Sequence, residues 1–202
     1  MRKILILFAH PRFEHSMVNR VLVKIARQVP SVTFHDLYEH YPDFNIDVNR
    51  EKSLLLSHDV VVWHHPFYWY SCPPLLKQWI DLVLEFNWAY GPQGDKLSGK
   101  FIFNAITSGG TREAYQTVGR NRFTVNQLLA PFEQTAFLCK MSYLPPFALQ
   151  GTHRISSVEL QKYAADYFAL LSFLAEETND LSVLKDYPLL NDFFTKTTSD
   201  GK

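Results

Sequence analysis

The sequence predicts an α/β protein in three layers, a parallel sheet with helices on both faces. Short apolar runs of strand length alternate with segments whose apolar residues recur at helical spacing, and neither type of segment is doubled up along the chain. The runs are continuously apolar rather than alternating, which suits strands buried on both faces. At 202 residues the chain fits one such body.

The first run, Lys3 to Ala9, reads as a strand. Ser16 is placed to cap the following helix, whose apolar stripe is Val18, Val21, Leu22, Ile25 and Val29 and which Pro30 ends. Arg20, Lys24 and Arg27 fall off that stripe. Val32 to Tyr38 reads as the second strand, and Arg50 to Ser57 as a short helix. Val60 to His64 is the third strand. Pro73 and Pro74 open the next helix, with Leu76, Trp79, Ile80 and Val83 inward and a Lys77–Asp81 pair outward.

Lys100 to Thr107 is the fourth strand. Thr124 to Phe137 is compatible with a helix in which Pro131 threatens a break. The fifth strand is expected near Phe147 to Leu149, and the last long helix over Ser156 to Glu177, with Leu160, Tyr163, Ala164, Tyr167, Leu171 and Leu174 along one side. Residues 1–179 make the domain. Residues 180–202 are an extension that docks through Leu184, Leu189, Leu190, Phe193 and Phe194, while Thr198 to Lys202 fray. Five parallel strands with right-handed crossovers suggest the flavodoxin-like order 2-1-3-4-5, in which ligands bind beyond the carboxyl ends of the strands where strands 1 and 3 diverge.

Composition narrows the function. Basic and acidic residues balance at 20 each, which argues against a nucleic-acid partner. Cys72 and Cys139 stand too far apart for a disulfide framework or metal-ligand spacing and fit reduced thiols in the cytoplasm. The apolar stretch at the start is too short for a signal peptide, and no run approaches the ~18 residues of a membrane span. The adjacent His64 and His65 face opposite sides of a strand and do not share a metal, so no metal site is expected.

Three loops should share the ligand-binding rim. After the first strand, His10 and the residues Ser16, Met17, Val18 and Asn19 offer donors at a helix N-terminus, enough for a phosphate without any glycine. After the third, Phe67, Tyr68, Trp69 and Tyr70 are consecutive aromatics that cannot all point inward, and they suit a planar ring. After the fourth, Thr107, Ser108, Gly109 and Gly110 combine hydroxyls with a close backbone approach. A Rossmann G-x-G-x-x-G, a P-loop and a G-x-S-x-G elbow are all missing.

The stretches "ILFAHP", "HSMVNR", "HDLYEHYPDFNIDVNRE", "WHHPFYWYSCPPLLKQWIDLVL", "WAYGPQGDKLSGK" and "ITSGG" together resemble the flavodoxin-like NAD(P)H:quinone oxidoreductases, the DT-diaphorase-like group. Within it the chain looks closest to the ancillary oxidoreductases of glutathione-gated potassium efflux (Kef) systems. The resemblance spans roughly residues 3 to 150. It implies a phosphate loop of His10 and Ser16 to Asn19, and an isoalloxazine site of Phe67 to Tyr70 and Thr107 to Gly110. It implies two-electron hydride transfer from NAD(P)H through a flavin to quinones or similar electrophiles. Tyr115 matches the family's charge-stabilising tyrosine, whereas Asn121 stands where the family has a histidine. FMN is expected rather than FAD, because the chain is shorter at its C-terminus than the FAD-using members. A homodimer and a cytoplasmic location are implied, with a peripheral place at the inner membrane through a potassium-efflux transporter. The competing readings are a regulatory transporter subunit, an azo or nitro reductase, and a one-electron carrier.

Overall fold

The structure is a computed structural model that describes residues 1–197. β1 (Ile4–Phe8) lies between β2 (Val32–Asp36) and β3 (Val60–Pro66), and β4 (Phe101–Ser108) follows β3. All these pairings are parallel, with Ile4 opposite both Val32 and Val60. The expected fifth strand arrives in two pieces, β5 (Ser142–Tyr143) and β6 (Phe147–Gln150), both paired with β4. Pro145 and Pro146 lie between the pieces and have no N–H to give the ladder. The sheet order β2-β1-β3-β4-β5 is therefore the predicted one, with its last strand interrupted.

Side chains alternate through the sheet. Ile4, Ile6 and Phe8 enter one core, with Leu22, Tyr167 and Leu171; Leu5 and Leu7 enter the other, with Trp63, Trp79 and Phe132. The first core is covered by α1 (Met17–Ala26) and α7 (Ser157–Ala175), which pack together. The second is covered by α4 (Pro74–Val83) and α6 (Ala130–Leu138). α2 (Leu37–His40) and α3 (Val48–Leu56) pack beside α4, and α5 (Val125–Leu128) precedes α6.

Several boundaries differ from the sequence expectation. α1 stops at Ala26, not at Pro30, and its buried face is Val18, Leu22, Val23 and Ala26, with Val21 and Ile25 only half-buried. β2 ends at Asp36 because that side chain accepts from the N–H groups of Tyr38 and Glu39 and caps the single turn α2. The Thr124–Phe137 segment is two helices: Thr124 and Gln127 form a capping box on α5, and Pro131 sits in the first turn of α6, where its missing N–H costs nothing. α7 starts behind a Ser156–Glu159 capping box and ends at Ala175. In the extension, Leu184 and Leu190 are fully buried, and α8 (Leu190–Thr197) packs on α7 and β6. Thr198 to Lys202 lie outside the described residues.

His64 and His65 do face opposite ways. His64 meets Phe8 and Tyr167, and His65 stacks on Phe132 across the sheet. Among the described residues no group of His, Cys, Asp or Glu is placed to hold a metal ion, and no helix is long and apolar enough to cross a membrane.

Candidate functional site

The loops that follow β1, β3, β4 and β6 meet at the carboxyl edge of the sheet, around an open cleft of about 570 Å³. That size lies within the range of small-molecule sites. At one end of the cleft stands the N-terminus of α1. Ser16 caps it, its Oγ accepting from the Asn19 N–H at 3.3 Å. Among the described residues the N–H groups of Met17 and Val18 donate to nothing in the chain. Both residues line the cleft, so two backbone donors and the positive end of a ten-residue helix open onto it.

His10 is nine-tenths buried beside them. Its Nδ1 accepts from the Arg12 N–H at 3.2 Å, so in the neutral ring the proton sits on Nε2. Burial lowers the pKa of this imidazole against the opposing pull of Glu14, which favours that neutral donor form.

Asn19 has a different place from the one its sequence position suggests. It is 1% exposed. Its Nδ2 donates to Ser16 Oγ (2.9 Å) and to Thr107 Oγ1 (3.0 Å), and its Oδ1 accepts from His64 Nε2 (3.0 Å). Both amide hydrogens are committed inside the protein, so Asn19 braces the first loop to the third and is not itself an outward donor.

The aromatic loop divides. Phe67 is buried, with its ring 5.7 Å from that of Tyr115. Tyr68 and Tyr70 are half-exposed and Trp69 is 91% exposed. A tight turn, closed by Ser71 N–H to Tyr68 O at 2.9 Å, holds Trp69 and Tyr70 at φ of 48° and 64°. That left-handed conformation is unusual for bulky side chains and throws both rings outward.

The glycine loop is closely covered. A Cβ on Gly109 would lie 2.4 Å from His153 Nε2, and one on Gly110 would lie 2.9 Å from the Tyr115 ring. Ser108 Oγ donates to Gly110 O, and the Gly151 N–H donates to the same carbonyl at 2.9 Å. Among the described residues the N–H groups of Gly109 and Gly110 find no acceptor in the chain.

The predicted residues thus fall into two adjoining clefts. His10, Ser16, Met17, Val18, Asn19, Phe67, Tyr68, Thr107, Ser108 and Gly109 line the first. Trp69, Tyr70, Gly110 and Tyr115 line a second of about 310 Å³, which shares Phe67 with the first. Tyr115 is 7% exposed, in a short 3-10 turn. Asn121 lies in the second cleft, with its Oδ1 3.5 Å from the Tyr70 hydroxyl.

Sequence reasoning left Arg12 and His15 without a role and missed Thr152, His153 and Arg120. The first four of these line the first cleft and Arg120 the second. Thr152 and His153 follow β6, so the rule that ligands gather at strand carboxyl ends already contained the signal for them.

Comparisons with known proteins place the fold. The family described as Flavodoxin-like fold matches residues 2–171. The glutathione-regulated potassium-efflux system ancillary protein KefG of Shigella flexneri serotype 5b (strain 8401) is 47% identical over 165 residues, 82% of this chain and 90% of that protein. The solved general stress protein 14 of Treponema denticola, in complex with FMN, is 41% identical with a TM-score of 0.81, covering 85% of this chain and 99% of that one. An NADPH-quinone reductase from P.pentosaceus is 30% identical with a TM-score of 0.78, covering 88% and 99%. From its sheet order, its carboxyl-edge cleft and these matches, the chain belongs to the flavodoxin-like fold family.

Proposed function

We propose that the protein is an FMN-dependent NAD(P)H:quinone oxidoreductase. The observation that carries this is the pairing, in one cleft, of uncommitted donors at the α1 N-terminus with the uncommitted N–H of Gly109, beside which Gly110 opens onto the adjoining cleft. The first set fits a terminal phosphate and the second fits the edge of a planar ring. The FMN complex of the Treponema denticola relative supports the cofactor, and the P.pentosaceus relative supports the reaction.

Bound here, FMN supplies acceptance of a hydride from NAD(P)H and its delivery, with a proton, to a quinone. The chain supplies position and charge. Met17 and Val18 N–H, His10 Nε2–H and the hydroxyls of Ser16 and Thr107 hold the phosphate, and Arg12 balances its charge from the cleft wall. Phe67, Tyr68, Trp69 and Tyr70 bound the ring site, with Ser108 fixing the glycine loop against them. Gly109 and Gly110 N–H would be available as donors to the edge of the bound ring. Tyr115 holds its proton, since burial raises its pKa against a hydrogen bond with Ser108 that lowers it.

Tyr115→Phe is expected to slow quinone turnover about tenfold, the worth of one hydrogen bond gained in the transition state, with FMN affinity unchanged. Steady-state kcat beside a flavin titration checks this, and an unaltered rate removes Tyr115 from the mechanism. The function itself is tested on the purified protein. It is expected to be yellow, to release FMN on denaturation, and to oxidise NADH or NADPH with a quinone. A colourless protein that takes up neither FMN nor FAD overturns the reading.

A second reading follows from the KefG relative: the protein acts as a cytoplasmic, peripheral partner of a potassium-efflux transporter at the inner membrane. Enzyme and partner roles use the same body, as a homodimer in this reading. Co-purification with a transporter and altered potassium efflux on deletion are its tests. Azo or nitro compounds as acceptors would use the same cleft, and an acceptor panel ranks them against quinones.

A further inference from the structure

A chain of buried hydrogen bonds runs from the middle of α7 to the phosphate end of the cleft. Tyr167 is fully buried, and its hydroxyl lies 3.3 Å from His64 Nδ1. His64, also fully buried, lies 3.0 Å from Asn19 Oδ1 through Nε2. Asn19 Nδ2 then reaches Ser16 Oγ and Thr107 Oγ1.

Such a chain can be drawn in either direction, because an amide and an imidazole can both be reversed. Tyr167 decides it. Among the described residues its hydroxyl has His64 Nδ1 as its hydrogen-bond partner and no other. If Nδ1 carried the proton, the Tyr167 O–H would be buried without an acceptor, at the full desolvation cost of that donor. Tyr167 therefore donates, His64 carries its proton on Nε2, and Asn19 must present Oδ1 to His64 and Nδ2 to the two hydroxyls. Burial, reinforced by repulsion from His65 and His10, pushes the His64 pKa down to about 3, so the ring stays neutral.

The consequence reaches the cleft. Ser16 Oγ and Thr107 Oγ1 each accept from Asn19, and both residues line the cleft. Their own hydrogens are free to be donated outward. With Asn19 reversed, both hydroxyls would donate inward and meet an anion with lone pairs.

We infer that Tyr167 and His64 are positioning residues of the anion site: through Asn19 they orient the Ser16 and Thr107 hydroxyls as donors to the phosphate of the bound cofactor. This rests on the FMN reading of the cleft. Neither residue touches the cofactor, and their effect is on the phosphate alone.

The test compares FMN with riboflavin, which has the same ring and no phosphate. Dissociation constants come from flavin-fluorescence titrations of the apoprotein. Tyr167→Phe keeps the ring packing and removes the direction. It is expected to weaken FMN about tenfold, on the scale of one to two hydrogen bonds, and to leave riboflavin within about twofold. His64→Gln is expected to keep the selectivity for FMN, since a glutamine can accept from Tyr167 and donate to Asn19. His64→Phe is expected to lose it. Equal weakening of FMN and riboflavin in Tyr167→Phe, or no weakening of FMN, overturns the inference while leaving the FMN reading intact. A wild-type protein that binds neither flavin overturns that reading, and the inference with it.

Discussion

Glu51→Ala is expected to destabilise the fold by about 4 kcal/mol, lowering the melting temperature by roughly 8–16 °C for a chain of this size. Glu51 lies on α3 and has no exposed surface. Its Oε1 accepts from His35 Nε2 at 2.7 Å and from the Tyr41 hydroxyl at 2.5 Å, and its Oε2 accepts from Trp79 Nε1 at 2.7 Å. One carboxylate thus joins β2, the turn after α2, α3 and α4. Alanine leaves three buried donors without an acceptor, each at about 1–3 kcal/mol before relaxation, and adds a cavity.

Glu51→Gln keeps the volume but turns one acceptor into a donor, so about half of the loss is expected there. Burial by itself raises the pKa of this carboxyl, but the bonds from His35 and Tyr41, the electrostatic pull of His35 and the Trp79 bond outweigh it and leave the value lowered. The stabilisation is therefore complete above the unfolded value of about 4.5 and fades as pH falls through the lower folded value. Thermal melts of wild type and Glu51→Gln should converge in that acid range. A constant gap from neutral pH down to there would mean that the carboxylate charge contributes nothing.

Glu51 also shows how far the sequence could be read. It stands four residues before the buried Leu55, on the same face of α3, which marks it as inward-facing. Its partners His35 and Trp79 are distant in sequence, so its role was not legible locally. The same distinction runs through the cleft. The rim was legible because strand order fixes where loops converge, and the loops after β1, β3 and β4 do converge there. The conformation of the aromatic loop was not, since nothing in "PFYWYS" announces left-handed backbone at Trp69 and Tyr70 without a glycine. The end of β2 was missed for a local reason, the competition of the Asp36 side chain with the strand ladder. The interruption of the last strand was present in the sequence as Pro145 and Pro146, but two residues of pairing in β5 are too few for a periodicity to register. Asn19 was found as a site residue, yet with the wrong duty. Its neighbours in sequence suggest a helix N-terminal donor, and only the partners 45 and 88 residues away, His64 and Thr107, turn it inward.

That inward role gives Asn19→Asp a large expected effect on cofactor binding from a change of one amide to a carboxyl. An aspartate still accepts from His64, but it has no amide hydrogens for Ser16 Oγ and Thr107 Oγ1. Both hydroxyls then donate inward, which removes two donors to the phosphate at about 1 kcal/mol each. The added charge also faces the phosphate from behind the helix N-terminus. Two unit charges on opposite sides of one hydroxyl repel by roughly 2 kcal/mol at an effective dielectric constant of 20. Together the terms come to about 4 kcal/mol, on the order of a thousandfold in FMN affinity. Riboflavin, with no phosphate to repel, should bind Asn19→Asp nearly as it binds the wild type. The new carboxyl is buried, which raises its pKa, so lowering the pH neutralises it and should restore the part of the FMN affinity lost to charge. At most one of the two lost donors should return, because a protonated carboxyl has one hydrogen and two hydroxyls to serve. FMN titrations across pH separate the two contributions, and equal loss of FMN and riboflavin would show that Asn19 supports the cleft as a whole and has no particular bearing on the phosphate.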